Sequence, residues 1–202
     1  MKIAVLVFGR LNKCVEHYDN IIESIGKEHN LEFYLASDNS SEELLNAFIQ
    51  TYHPVAYTNE KIQHNYNLDI YPKMFETNVP NMILHFINKC RVFQLLENNN
   101  KITNNNYDII LSLRIDLVFY NPIIFPNEIL PNTIYIPNEH HYGGINDRLA
   151  YGDFDTMAKY MKIIYYIYNI IQIVHPERLT LANIKYHKID ISYFETGTII
   201  EY

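Results

Sequence analysis

The chain has 202 residues, 48% of them hydrophobic and 19% charged, with 18 tyrosines and 10 phenylalanines. That is enough apolar material for a sizeable core in a single α/β domain, and it excludes a disordered chain. Sixteen basic against 23 acidic side chains leave a net charge of −7; this excludes the broad basic face of a non-specific nucleic-acid binder but not local arginines that hold a phosphate.

Residues Ile3 to Phe8 form a continuous apolar run, the pattern of a strand buried on both faces of a parallel sheet, and Gly9-Arg10 ends it. The run is too short for a secretory signal and lacks its small-residue cleavage site. A helix is expected over 14–25 and a second strand over 31–36. A capping box, with Glu43 three residues after Ser40, opens a helix that reaches Gln50. A short strand over 54–57 completes a β-α-β-α-β alternation, which marks an open, mostly parallel sheet. Residues 58–77 have no periodicity and read as surface loop. Asn78-Val79-Pro80 starts the next helix with proline in its first turn, and Met82, Ile83, Phe86, Ile87, Cys90, Phe93 and Leu96 then recur on one face. Asparagine triplets at 98–100 and 104–106 bracket a polar turn. A strong strand over 107–113 runs directly into Arg114-Ile115-Asp116, and another strand covers 133–136. Gly143-Gly144 is a turn, Gly152-Asp153 caps a long helix over 154–173, Pro176 starts a last helix, and 189–194 and 198–201 are terminal strands. No apolar stretch reaches the roughly 20 residues that span a bilayer. Cys14 and Cys90, with no CxxC spacing, read as two buried thiols in a reducing, cytoplasmic setting.

Two segments carry the residue types of a ligand site. Arg114-x-Asp116 stands where a buried-looking strand meets polar residues, and in open α/β sheets ligands gather beyond the carboxyl ends of the strands. A carboxylate there can hold a divalent cation that neutralises a diphosphate. The arginine, two residues earlier on an extended segment, lies on the same face and can orient that carboxylate or meet phosphate itself. The same pair also reads as a structural ion pair at a strand end. The second segment is Gly143-Gly144-Ile145-Asn146-Asp147-Arg148. Two glycines let the backbone pass close to a ligand, and Asn146 with Asp147 offers an amide and a carboxylate to a sugar hydroxyl, Asp147 in the role of general base. A plain Gly-Gly turn with Asp147 at a helix start is the alternative. Gly9-Arg10 follows the first strand without the GxGxxG pattern, and Asp38 follows the second. Lys89 and Arg91 lie on the helix before the central strand, placed either to reach phosphates or to sit as solvated charges. His140-His141, adjacent on an extended segment, point to opposite faces and read as loop residues. The P-loop, GxSxG and HExxH motifs are all missing, which removes support from kinase and hydrolase readings.

Taken in order, these segments resemble something specific: the N-terminal β-α-β half, the helix from Asn81 through Leu95, the run from Tyr107 through Arg114-Ile115-Asp116 to Phe119, the strand ending Ile136-Pro137-Asn138, and Gly143 to Gly152. The chain resembles small glycosyltransferases of the GT-A fold, of the kind found in large DNA viruses, bacteria and plants, over roughly residues 1 to 195. The resemblance implies a single α/β domain over 1–202, an open mixed, mostly parallel sheet flanked by helices. Residues 1–120 would hold a nucleotide-sugar donor and 121–202 the side of a glycan or other hydroxyl acceptor. It implies donor contacts at Phe8, Gly9, Arg10, Asp38, Arg91, Arg114 and Asp116, catalytic roles for Asn146 and Asp147, and manganese or magnesium at Asp116. The usual metal motif of that fold is Asp-x-Asp; here Arg114 stands in its first position, which puts metal dependence in question. A sugar-nucleotidyltransferase and a non-catalytic nucleotide- or glycan-binding module are the competing readings.

Overall fold

In a computed structural model that describes residues 1–200, strand β1 (Lys2–Phe8) divides its side chains between two cores. Ile3, Val5 and Val7 face one, and Ala4, Leu6 and Phe8 face the other, all fully buried. Burial on both faces explains why the run is continuously apolar rather than alternating. Parallel strands flank β1: β2 (Asn30–Ala36) with β3 (Ala56–Thr58) beyond it on one side, and β4 (Ile109–Arg114) on the other. Helices α1 (Tyr18–Ile25) and α2 (Glu42–Tyr52) set Ile21, Ile25, Phe48 and Tyr52 against the first core. Helix α3 (Val79–Thr103) sets Val92, Phe93 and Leu96 against the second.

The chain steps outward through β1, β2 and β3, then α3 carries it back to β4 on the far side of β1. Strand order therefore reverses between β1 and β4, and a crevice opens beyond their carboxyl ends. Past β4 the sheet becomes mixed. β7 (Leu149–Gly152) pairs antiparallel with β4, β6 (Thr133–Pro137) antiparallel with β7, and β8 (Asp190–Phe194) parallel with β6, giving seven strands in the order β3-β2-β1-β4-β7-β6-β8. A separate ribbon joins β5 (Leu117–Phe119) to β9 (Thr198–Ile200); the expected last strand thus ends at Ile200, and its Glu201 lies outside the described residues.

The expected elements are present, with five differences. The first helix begins at Tyr18 rather than 14, because residues 12–17 form successive turns and a His17 ring nitrogen donates to the Ile115 carbonyl at 3.2 Å. Ser41, not Ser40, caps α2 by accepting from the Leu44 amide, since the Ser40 amide and hydroxyl are taken by Asn59 and Ser37. The short strand expected over 54–57 is Ala56–Thr58, and α3 runs through the first asparagine triplet to stop at Asn104, a left-handed C-cap with φ 52°. The helix expected over 154–173 is broken into α4 (Phe154–Met161), a 3-10 turn (Ile163–Tyr166) and α5 (Ile167–Ile170), followed by α6 (Pro176–Tyr186). The break has a packing cause. Met157, Tyr160 and Met161 serve the sheet core, whereas Ile163, Ile164, Ile167 and Ile170 serve a third cluster with Met82, Ile83 and Phe86 of α3. A straight helix presents one stripe and cannot cover both. Among the described residues no helix is long and apolar enough to cross a membrane, and both cysteines are free and buried.

Phe93→Ala, at a fully buried position under the sheet, is expected to cost about 3–5 kcal/mol in denaturant unfolding. Ile102→Ala on the same helix, 84% exposed, should stay within roughly 0.5 kcal/mol of the parent.

Candidate active site

β1 and β4 end in register, Phe8 opposite Arg114, so Gly9-Arg10 and Arg114-Ile115-Asp116 emerge side by side at the reversal of strand order. Gly9 has φ 119°, a conformation that side chains disfavour, which lets the chain turn sharply off β1. A cavity of about 810 Å³ opens at this point, and Gly9, Arg10, Asp38, Arg114 and Asp116 form its strand-end wall. Asn81, His85 and Asn88 face it from α3, spaced four and three residues apart on one side of the helix.

The third wall depends on β7. Because β7 runs antiparallel to β4, with Leu113 opposite Leu149, the residues just before it fall at the carboxyl end of β4, and the Arg114 amide donates to the Arg148 carbonyl at 2.9 Å. Asp147 and Arg148 thereby line the cavity. The loop ahead of them is held from within: the Asn146 side chain donates to the Glu139 carbonyl at 3.1 Å and accepts from the Arg148 amide at 2.9 Å, while the Asn146 amide donates to His141 Nδ1 at 3.1 Å. The glycine pair serves a close backbone approach, but to the protein's own α6. A Cβ at Gly144 would collide with the Glu177 carbonyl, and the next amide, Ile145, donates to that carbonyl oxygen at 3.0 Å. His175 and Glu177, at the start of α6, complete the wall.

The electrostatics centre on Asp147, which is only 4% exposed. His85 Nε2 lies 3.1 Å from its Oδ2, in ion-pair contact without hydrogen-bond alignment, and the fully buried Lys89 reaches its carbonyl oxygen at 3.4 Å. Burial opposes ionisation of this carboxyl, yet the charges of His85, Lys89 and Arg114 prevail and hold it well below the usual carboxylate range. Burial pushes the Lys89 ammonium down to about 7 against the pull of Asp147; its Nζ also stands 3.8 Å from the centre of the Tyr160 ring. Glu177 moves the other way. Burial, and then repulsion from Asp147, raise its carboxyl to about 7, with Arg148 and Arg114 opposing. One cavity thus holds two carboxyl groups of opposite proton affinity.

Arg114 and Asp116 form a two-pronged pair, Nε to Oδ1 at 3.0 Å and Nη2 to Oδ2 at 2.5 Å. Both carboxylate oxygens are therefore engaged by one guanidinium. Hard divalent cations take about six oxygen ligands or more, and among the described residues no group of three His, Cys, Asp or Glu side chains converges to hold one. A manganese or magnesium ion at Asp116 would therefore have to take its other ligands from a donor diphosphate and water.

Of the expected site residues, Gly9, Arg10, Asp38, Arg114, Asp116 and Asp147 meet in this one cavity. Asp38 Oδ1 is anchored by the Ile62 amide at 2.7 Å. Three residues stand elsewhere. Phe8 is a fully buried core residue whose ring packs edge-on against His85. Arg91 clasps the end of β3, donating to Thr58 Oγ1 and to the carbonyls of Ser37 and Glu60. Asn146 is buried with its amide committed to its own loop. Lys89, weighed as a phosphate contact or a solvated charge, is neither: it is buried against the Asp147 loop. His85, His175 and Glu177 were not expected here. For His85 a signal exists, since Asn81, His85, Asn88 and Lys89 form a polar stripe along a helix whose other positions are largely apolar. For Glu177, a glutamate after a helix-opening proline, the sequence carries no mark.

Residues 75–173, which include α3, β4 and the Asp147 loop, match a domain of unknown function (DUF7796). No curated protein matches the chain in sequence. Similar solved structures include the apo-form glycosyltransferase GlyE of Streptococcus pneumoniae TIGR4, with TM-score 0.54 and 11% identity over 96% of this chain and 44% of that one. They also include the galactosyltransferase LgtC in complex with donor and acceptor sugar analogs, with TM-score 0.52 and 9% identity over 96% of this chain and 73% of that one. An active-site mutant of LgtC gives TM-score 0.54 at 9% identity over 96% of this chain and 72% of that one. This chain thus spans less than half the length of GlyE. The likeness establishes the fold: α/β and GT-A-like, with a mostly parallel sheet flanked by helices.

Gly144→Ala is expected to lower stability by roughly 3 kcal/mol, since overpacking here forces backbone away from backbone, whereas Gly143→Ala meets only the flexible end of Arg178 and pays just the cost of its positive φ. Asp147→Ala should cost about 1–3 kcal/mol by leaving the buried nitrogens of His85 and Lys89 short of a partner. Urea unfolding of the three variants checks both.

Proposed function

We propose that the chain transfers a sugar from a nucleoside-diphosphate donor to a hydroxyl of an acceptor glycan. The observation that carries this reading is the composition of the cavity at the strand-order reversal: guanidinium groups at the strand ends on one side, buried carboxyl groups on the other. A diphosphate-bearing donor suits the first side and a hydroxyl-bearing acceptor the second. The GT-A-like fold supports it, and LgtC, similar in fold, is described with donor and acceptor sugar analogs.

In this reading the nucleoside lies toward Gly9, Arg10 and Asp38, in the crevice where doubly wound sheets take their ligands. As the bond between sugar and diphosphate breaks, negative charge builds on the leaving oxygens. Arg114 is held in place by Asp116 before substrate arrives, so it meets that charge without rearrangement, and Arg10 lines the same wall. Asp116 is then a positioning residue that keeps the guanidinium aimed. In this reading charge neutralisation falls to arginine.

A panel of nucleoside-diphosphate sugars should contain at least one that raises the melting temperature by mass action, worth about 2.7 kcal/mol at one hundred times its Kd. Failure of every donor to shift the melt would sink the proposal. Arg114→Ala is expected to weaken donor binding roughly 10- to 100-fold in calorimetry, the worth of a charge-assisted hydrogen bond. Donor binding and transfer should persist in excess EDTA; a loss that manganese restores would put a cation at Asp116 after all.

A further inference from the structure

The cavity holds a second carboxyl group that the donor side does not use. Glu177 is 5% exposed, lines the cavity at the second position of α6, and its Oε2 is enclosed with no hydrogen-bond partner. His175 Nδ1 approaches that oxygen to 3.1 Å without the alignment of a hydrogen bond. An unsatisfied carboxyl oxygen at this depth costs stability, so it persists only where something other than stability holds it. Its position is also rigidly set. The Glu177 carbonyl receives the Ile145 amide, and Gly144 packs against the same peptide too closely to admit a side chain.

Asp147, the carboxylate first expected to act as base, is unsuited to that task by the same geometry. It is in contact with His85 and lies beside Lys89, partners that stabilise its charge and weaken its hold on a proton.

From these contacts we infer that Glu177 is the general base of the transfer reaction, taking the proton of the acceptor hydroxyl, with Asp147 as the fixed negative charge beside it. The inference rests on the transfer reading above. In the step, the acceptor O–H bond breaks and its proton passes to the Glu177 carboxylate. The acceptor oxygen bonds to the anomeric carbon of the donor. The bond from that carbon to the diphosphate oxygen breaks, and its electron pair leaves with the nucleoside diphosphate. Glu177 then releases the proton to solvent. The charged groups that face Glu177 are His175 on its own segment, Asp147 and Arg148 before β7, Arg114 at the end of β4, and His85 on α3. Burial and repulsion from Asp147 together raise its carboxyl to about 7, which suits a base that works near neutrality, and two carboxyls driven apart in this way divide their roles.

The test is the pH dependence of transfer with the full chain and whichever donor binds, alongside Glu177→Gln. In the parent, kcat should rise about tenfold per pH unit below about 7 and level above it, as Glu177 loses its proton. Glu177→Gln should lower kcat by about 10²- to 10⁴-fold with donor Kd unchanged, abolish that rise, and recover part of the rate with added formate. A parent profile flat between about pH 5.5 and 8 overturns the inference even if the variant fails to fold. So does a folded Glu177→Gln variant within about threefold of the parent. A parent that binds donors but transfers to no acceptor overturns the transfer reading, and this assignment with it.

Discussion

A carboxylate withdrawn from water has to be compensated where it lies, and Asp147 draws that compensation from separate parts of the chain. His85 and Lys89 come from α3, and Arg114 from the end of β4. Removing the carboxylate would leave the buried His85 and Lys89 nitrogens short of a partner, and removing those groups would strand the carboxylate. The charge therefore couples the helix that crosses under the sheet to the loop that enters β7. Unlike the non-directional apolar packing between α3 and the sheet, this cluster is directional and fixes how the α3 face and the β7 loop meet.

That meeting point falls at the strand-order reversal for a topological reason. Parallel strands β1 and β4 present their carboxyl ends to the crevice, while an antiparallel neighbour presents the residues that precede it. The loop before β7 is thus delivered to the same edge as Arg10 and Arg114. α6 follows because its first turn packs against Gly144, which brings Glu177 in with it. Cations at one side and carboxyls at the other are a consequence of which strand runs which way.

The two arginine-aspartate arrangements differ in kind. Arg114 and Asp116 are a partly exposed, two-pronged pair two residues apart, and its geometry fixes the direction of the guanidinium at the mouth of the crevice. The Asp147 cluster is buried, spans distant segments, and leaves a neighbouring carboxyl short of partners. Strain of this sort, an acid near neutrality beside an acid far below it, belongs to sites more than to cores.

Much of this was legible in the residues themselves. The continuous apolar run at 3–8 and the strongly apolar stretch within 107–113 mark buried strands, and their chemistry-bearing ends, Gly9-Arg10 and Arg114-x-Asp116, follow from the fact that strand ends are where polar residues resume. The helical spacing from Met82 to Leu96 marks α3. β7 was not legible: Leu149–Gly152 is four residues long, too short for a period to show, and its direction is set only by pairing with β4. From that strand came the rest that the sequence withheld. The glycine pair turned out to admit α6 rather than a ligand, Asn146 to brace its own loop, and Arg91 to clasp β3, because short-range pattern cannot say which partner a polar group will find. Local sequence determined the strands, the main helix and the strand-end residues, since these depend on burial periodicity and turn chemistry. Tertiary structure alone decided that Asp147, His85, Lys89 and Glu177 meet at one place, since their proton affinities arise from contacts between segments far apart in the chain.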